Sequence, residues 1–322
     1  MTICDFYNPL KHTEISIKRA RKAFPPNSHT VQVSTDRLPF KDHTFDYALA
    51  ILSAHEIRDE RERVLFFSEL SRVTKPTGLI FVTEHLRDFN NFIAYSLGFF
   101  HFHSKTSWLT TKLHFQYISK FNACWVPDVS GVQNLSGVLG HPEKVLDKIK
   151  YIGPLSRIEK KSLPIKYDIM VLLSGPEPQR TLLEKKLSKE LEKSTKEILF
   201  VKGVVESQQE IEKTNSITYY NFMNSEQLNT AFNESEVVVC RSGYTTVMDL
   251  AKLEKKAFFI PTPGQYEQEY LAKKFKSEII APSCKQEKFK ASKLEKIHFY
   301  KGFNDYSVET NWNELFSLFQ SK

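Results

Sequence analysis

Glycine is scarce in this 322-residue chain: there are eleven, and Gly78 and Gly98 are the only two before Gly131. The first third therefore offers no glycine-rich loop for a phosphate or a cofactor. Cysteine is as sparse, and Cys4, Cys124, Cys240 and Cys284 lie far apart with no CxxC pair. That excludes a paired-cysteine zinc motif and a disulfide framework, and it fits a reducing cytoplasm. The ten histidines form no HExxH; His101 and His103 can share one face of a strand, but no further ligands accompany them and no metal is expected. The amino terminus lacks the apolar stretch of a signal peptide. The most apolar aromatic stretch, residues 92–102, is about half the length needed to cross a bilayer. Repeats, low-complexity segments and a Pro/Gly-rich linker are also missing. The formal net charge is +7, yet no RRM, zinc-finger or helix-turn-helix signature accompanies it, so nucleic acid is not an expected partner.

What is present is ordinary for a globular chain: 41% hydrophobic and 26% charged residues, at a length that predicts two domains. Lysines crowd into residues 273–301. Such a run is usually a solvated helix face, and it can also steer anionic lipid head groups or a nucleotide-sugar. The Phe66, Leu70 and Val73 stripe has helical spacing and is expected to be core. His55 and Glu56 follow a strand, where they either cap the next helix or face a substrate.

The most informative segment is Arg241-Ser242-Gly243-Tyr244-Thr245-Thr246-Val247-Met248-Asp249-Leu250, followed by Pro261-Thr262-Pro263-Gly264-Gln265-Tyr266-Glu267-Gln268-Glu269. A strand over 236–240 is predicted to end in a Ser-Gly turn, a helix to open on two threonines, and a second strand to run over 256–260. Unpaired N–H groups and the positive end of the dipole at the helix start suit a diphosphate. Gly243 permits close approach, Thr245 and Thr246 add hydroxyl donors, and Asp249 one turn later can accept from ribose hydroxyls. The same residues also serve plain helix capping.

Two upstream segments point to the same sheet edge. Residues 168–173 form a buried-strand pattern running into Ser174-Gly175-Pro176-Glu177-Pro178-Gln179-Arg180, with a helix expected to about Lys193. Before them, Tyr151-Ile152-Gly153-Pro154-Leu155-Ser156-Arg157 sets a glycine turn and an arginine after another short strand. Arg157 and Arg180 are candidates to neutralise phosphate charge, or else solvated surface arginines.

These motifs (GPLSR, LLSGPEPQR, RSGYTTVMDL and PTPGQYEQE, in this order) resemble the carboxyl-terminal domain of GT-B glycosyltransferases, the family 28 kind that includes the enzyme adding N-acetylglucosamine to lipid-linked peptidoglycan precursors. The resemblance implies a nucleotide-sugar donor site, usually for a UDP-sugar, with no obligatory metal. It places Asp249 on the ribose, where the peptidoglycan enzyme carries Glu, and Ser242, Gly243, Tyr244 and Thr245 on the diphosphate. Gln268 and Glu269 would meet the sugar, Phe222 and Met223 would line the base pocket, and Gly153, Arg157, Ser174, Gly175, Arg180 and Gln265 would complete the site. No catalytic residue is assigned, because such enzymes usually carry the base and acceptor site on an amino-terminal lobe. Only residues 112–127 resemble the end of that lobe.

The amino-terminal part resembles instead the later half of a class I S-adenosylmethionine-dependent methyltransferase. The matching residues are Asp5-Phe6-Tyr7-Asn8-Pro9, Ser34-Thr35-Asp36-Arg37-Leu38-Pro39-Phe40, Phe45-Asp46-Tyr47-Ala48-Leu49-Ala50, and a helix-strand unit over 60–83 with Lys75-Pro76-Thr77-Gly78 between. By that resemblance Asp5 corresponds to the ribose acid and Asp36 to the acid near the adenine. The family's first strand and Gly-rich loop have no counterpart, so S-adenosylmethionine binding is expected to be weak or absent.

The fold class expected is therefore α/β, with two Rossmann-like units: an incomplete methyltransferase-like one over residues 1–110 and a GT-B donor-binding domain over 111–322. A helix over 311–320 is expected to end the chain and to pack on the first unit or remain loose. Hexosyl transfer from a UDP-sugar leads as the function, with the acceptor lobe missing and a separate acceptor-binding polypeptide as candidate partner. The alternatives are a non-catalytic nucleotide-sugar binding module or gene-fusion product, and a methyltransferase. The expected location is the cytoplasm, with peripheral contact at the inner face of the membrane as a further candidate.

Overall fold

The computed structural model describes residues 2–7, 17–18, 21–22, 25–26, 28–51, 57, 59–83, 119, 123–142, 147–204, 206–304, 306, 311 and 313. The chain divides into two units, one of Met1–Thr106 with Phe316–Lys322 and one of Ser107–Leu315. Both units are mixed α/β with parallel strand pairs. Asn8, Pro9, His55, Glu56, His101, His103, the aromatic stretch 92–102, the 104–115 junction, much of 112–127 and most of 311–320 lie outside the described residues.

In the first unit, β1 (Ile3–Asp5) pairs with β2 (Thr30–Gln32), and β3 (Phe45–Ile51) with β4 (Thr74–Thr83). Helix α1 (Glu60–Val73) connects β3 to β4 and starts where the Asp59 carboxylate accepts the Glu62 N–H at 2.8 Å, a side-chain cap for an otherwise unpaired donor. Phe66, Leu70 and Val73 are buried along one stripe with Leu38, Ala50 and Ile57, as their spacing predicts. The Lys75-Pro76-Thr77-Gly78 segment, expected as a connecting turn, lies within β4. Phe45 is opposite Thr74 and Tyr47 opposite Leu79, so the register shifts there. A proline that cannot donate to the ladder suits such a bulge.

The second unit is built on a six-stranded sheet. Its strands are β7 (Tyr167–Leu172), β8 (Ile198–Val201), β9 (Ile211–Thr214), β10 (Ile217–Tyr220), β11 (Ser235–Cys240) and β12 (Lys256–Phe259), in the order β12-β11-β7-β8-β10-β9. All neighbours run parallel except the edge strand β9. β5 (Cys124–Val126) and β6 (Ile149–Tyr151) form a separate parallel pair.

Continuous apolar runs in the central strands reflect burial on both faces. Met170, Leu199, Val201, Val238 and Cys240 face one core cluster, and Ile169, Val171, Ile198, Phe200 and Val239 face the other. Helices α3 (Ser225–Asn233), α4 (Tyr244–Lys252) and α5 (Tyr266–Ser277) supply Phe232, Val247 and Phe275 to the first cluster. Helix α2 (Gln179–Leu191) supplies Leu183, Leu187 and Leu191 to the second.

Helix α5 ends in a Schellman turn, with Ile280 N–H donating to the Phe275 carbonyl at 2.9 Å and Ile279 N–H to Lys276 at 3.3 Å. Ile279 occupies the left-handed position of that turn, at φ 56°, where glycine is the usual residue. A β-branched side chain there costs about 1–2 kcal/mol.

Candidate functional site

Chain order in the sheet reverses at β7: the path runs outward through β8 to β10, then returns to β11 on the opposite side of β7. The carboxyl ends of β7 and β11 therefore flank a topological switch point, where parallel α/β sheets bind ligands. Leu172 leads into Ser174 and Gly175, and Cys240 into Ser242 and Gly243. Ser174 and Gly175 are exposed, with Gly175 at φ 103°.

Gly243 is the residue before α4, and no side chain caps that helix. Its backbone, at φ −72° and ψ 142°, is one that any residue adopts, and a β-carbon added there would meet no atom within 4 Å. The fold does not require glycine at this position, and serine or aspartate would cap the helix better. What glycine provides is open space in front of the first-turn N–H groups. Thr245, in the same turn, is exposed.

Asp249 lies on α4 beyond this opening. Its Oδ1 accepts the Ser156 hydroxyl at 2.6 Å. Burial raises its pKa above the ordinary aspartate value, against the opposing effects of that hydrogen bond and of the positive charge on exposed Arg157. The loop carrying Ser156 and Arg157 is set by Gly153, buried at φ 82°, whose N–H donates to the Asp128 carbonyl at 2.9 Å. Asp128 is itself fully buried and accepts from the N–H groups of Val129, Leu135 and Ser136 at 2.7–2.8 Å. A brace on residues 128–136 thus positions the loop that touches Asp249.

Several expected site residues direct their side chains elsewhere. Each guanidinium nitrogen of Arg180 bonds within the protein: Nε to Glu177 (2.7 Å), one terminal nitrogen to Glu184 (2.7 Å) and the Lys202 carbonyl (3.0 Å), the other to Thr181 (2.9 Å). A phosphate would have to displace these, and in this structure Arg180 anchors the loop before α2. The Ser242 hydroxyl donates to the Gln268 carbonyl at 2.7 Å, and the Tyr244 hydroxyl to the Pro127 carbonyl at 2.9 Å. Each hydroxyl proton is thereby used within the protein, so toward a phosphate these two residues have their backbone N–H groups to donate. Gln268 accepts the Thr262 N–H at 2.9 Å and donates to Gln265, while Glu269 accepts the Gly264 N–H at 3.0 Å. The Gln265–Glu269 group therefore braces the loop after β12. Phe222 and Met223 follow β10, two strand positions or about 10 Å from β7. Met223 lines a separate cleft of about 290 Å³ with Tyr167, Tyr220 and Gln227.

Two residues at the switch point carry more than their sequence suggested. Arg241 is 1% exposed, and among the described residues no carboxylate pairs with it. Its terminal nitrogens donate to the carbonyls of Ile260 (3.0 Å), Pro261 (3.1 Å) and Gln179 (2.9 Å) and to Gln286 Oε1 (2.8 Å), while Nε has no acceptor. Burial lowers its pKa to about 10. One buried cation thus ties the loops after β7, β11 and β12 together and leaves positive charge behind the crevice. Thr262 is 2% exposed and its hydroxyl has no partner; a β-carbon at Gly175 would stand 3.6 Å from that oxygen. The available signal for Arg241 was a charged residue continuing the apolar run of β11 directly into Ser-Gly.

In the first unit, Asp5 does not fit a cofactor ribose. Its two carboxylate oxygens accept from the two terminal nitrogens of Arg21, and one also accepts the Tyr7 N–H at 2.9 Å. Asp36 is exposed and accepts the Ser34 hydroxyl. Among the described residues no three His, Cys, Asp or Glu side chains cluster as metal ligands, and no helix is long and apolar enough to cross a membrane.

Comparison with known proteins agrees with both resemblances. The family model of the glycosyltransferase family 28 C-terminal domain matches residues 177–298, and that of a methyltransferase domain matches residues 10–82. No curated protein matches the chain by sequence. Among solved structures, the glycotransferase of kitacinnamycin is similar at 11% identity and TM-score 0.46, over 87% of this chain and 69% of that one. CalG4, the calicheamicin glycosyltransferase, is similar at 9% identity and TM-score 0.46, over 88% and 70%. SnogD from Streptomyces nogalater, also a glycosyltransferase, gives 10% and 0.35, over 86% and 59%.

Proposed function

We propose that the second unit binds a nucleotide-sugar, a UDP-sugar by its resemblance, in the crevice between the ends of β7 and β11, and that the chain takes part in metal-independent hexosyl transfer. The observation that carries this is Gly243: an uncapped helix start at the switch point, opened by a glycine that the backbone does not need. The diphosphate would meet the N–H groups of the first turn of α4, with Thr245 and Arg157 adding a hydroxyl and a charge. Asp249 would accept from the ribose, and Ser156 would hold its carboxylate in place. Charge develops on the departing diphosphate as the glycosidic bond breaks, and fixed donors plus the buried Arg241 cation would stabilise it without solvent reorganisation. The proposed setting is the cytoplasm.

A second reading is supported by the match over residues 10–82, which is to a methyltransferase domain and not to an acceptor-binding lobe. In it, this chain holds the donor and a separate polypeptide supplies the acceptor site. Incubation with a radiolabelled UDP-hexose separates the two: UDP release by the chain alone supports catalysis, and saturable binding without release supports the binding module. Absence of both, in folded protein, contradicts the donor-site proposal.

A further inference from the structure

The turn after α5 combines two features that do not serve the fold. Ile279 holds a left-handed backbone suited to glycine and yet is 51% exposed. Phe299, the last residue of a 3₁₀ segment (Ala291–Phe299), is 79% exposed. The two are brought near each other by backbone pairing, with Lys301 N–H donating to the Ile279 carbonyl at 2.9 Å and Gly302 N–H to Ile280 at 3.0 Å. Lys273 and Lys276 precede Ile279, Lys296 and His298 precede Phe299, Lys301 follows it, and all five are exposed. The acids on these segments are Glu278, paired with Lys274 at 2.8 Å, and Glu295.

We propose that this tip docks on an anionic lipid bilayer, with Ile279 and Phe299 entering the interfacial layer and the lysines meeting head-group phosphates. Strain kept at an exposed apolar residue contributes nothing to the folded state, and it points to function outside it. Two apolar side chains fall far short of the roughly 800 Å² per partner of a stable protein interface. Shallow insertion combined with lysine attraction is enough for reversible interfacial binding. The proposal stands apart from the nucleotide-site reading, because none of its residues belongs to the crevice.

Flotation of the full-length protein tests it, using phosphatidylcholine vesicles with and without phosphatidylglycerol. The parent is expected to float with the anionic vesicles alone and to be released by salt. Ile279→Gly combined with Phe299→Ser should weaken that binding by at least about tenfold while the thermal midpoint holds or rises, since glycine suits the turn. Lys276→Glu with Lys301→Glu should weaken it similarly. Folded parent that fails to bind anionic vesicles, or apolar-tip variants that bind as the parent does, would overturn the proposal. So would equal binding to soluble polyglutamate that ignores Ile279→Gly, which would assign the lysines to an acidic protein.

Discussion

Gly243→Val separates what the fold needs from what a ligand needs. At φ −72° and ψ 142°, with open space beyond the α-carbon, valine enters without strain. Losing glycine from the position before a helix costs about 1 kcal/mol. Restricting the unfolded chain returns about 0.4–1 kcal/mol. The net change in stability is therefore expected within about 1 kcal/mol, a shift of no more than about 4 °C in Tm for a chain of this size. Binding should respond differently. A branched side chain in front of the α4 N–H groups displaces a phosphate from at least one charge-assisted hydrogen bond, about 1.5–3 kcal/mol. About 2 kcal/mol of lost affinity is roughly thirtyfold. Calorimetric titration with UDP, paired with a thermal melt, reads both quantities. Gly203→Val is the contrasting control: at φ 67° its β-carbon would stand 2.3 Å from the Leu173 carbonyl oxygen, so it should unfold the unit. A folded Gly243→Val that binds UDP as the parent does would refute the placement of the diphosphate.

Other substitutions test neighbouring parts of the account. Asp249→Asn should raise the apo melting temperature, because burial disfavours the charged carboxylate, and should weaken UDP. The raised Asp249 pKa also means that its destabilising effect sets in as pH rises from the unfolded value of about 4 to the folded one. In the parent, acidification should weaken UDP from a higher pH than an ordinary aspartate would give. Arg241→Met removes four hydrogen bonds, two of them to buried acceptors, while relieving a buried cation, and a net loss of about 2–4 kcal/mol is expected by urea unfolding; unchanged stability would deny Arg241 its loop-tying role. In the first unit, the hydrogen bond from Arg72 holds Glu69 down to about 2 from 4.5. The stability this contributes is complete above about pH 4.5 and should be lost as pH falls toward 2, and Glu69→Gln should flatten that acid limb in a pH series of melts.

Much of the second unit was legible because its signals are local. The apolar run at 168–173, the Ser-Gly turn and the following helix fall within one or two residues of β7, β11 and α4. Helix α2 ends at Leu191, close to the Lys193 expected. Side-chain roles were less legible, because partners come from distant segments. Arg241 reaches Gln179 and Gln286, 62 and 45 residues away. Arg180 looks like a phosphate ligand beside Ser174-Gly175, until Glu177 and Glu184 are found at three and four residues along α2 and its approach. The Ser242 hydroxyl is claimed by a carbonyl on α5, which no local pattern announces. In the first unit, the acid at Asp5 was visible while its Arg21 partner, sixteen residues on, was not.

The most direct test of the central claim is calorimetric titration of the full chain with UDP, repeated on Asp249→Ala. The account predicts saturable binding to the parent that weakens at least tenfold in the variant, a loss of about 1.4 kcal/mol. No binding by folded parent, or equal affinity in the two proteins, would contradict a nucleotide site built on α4.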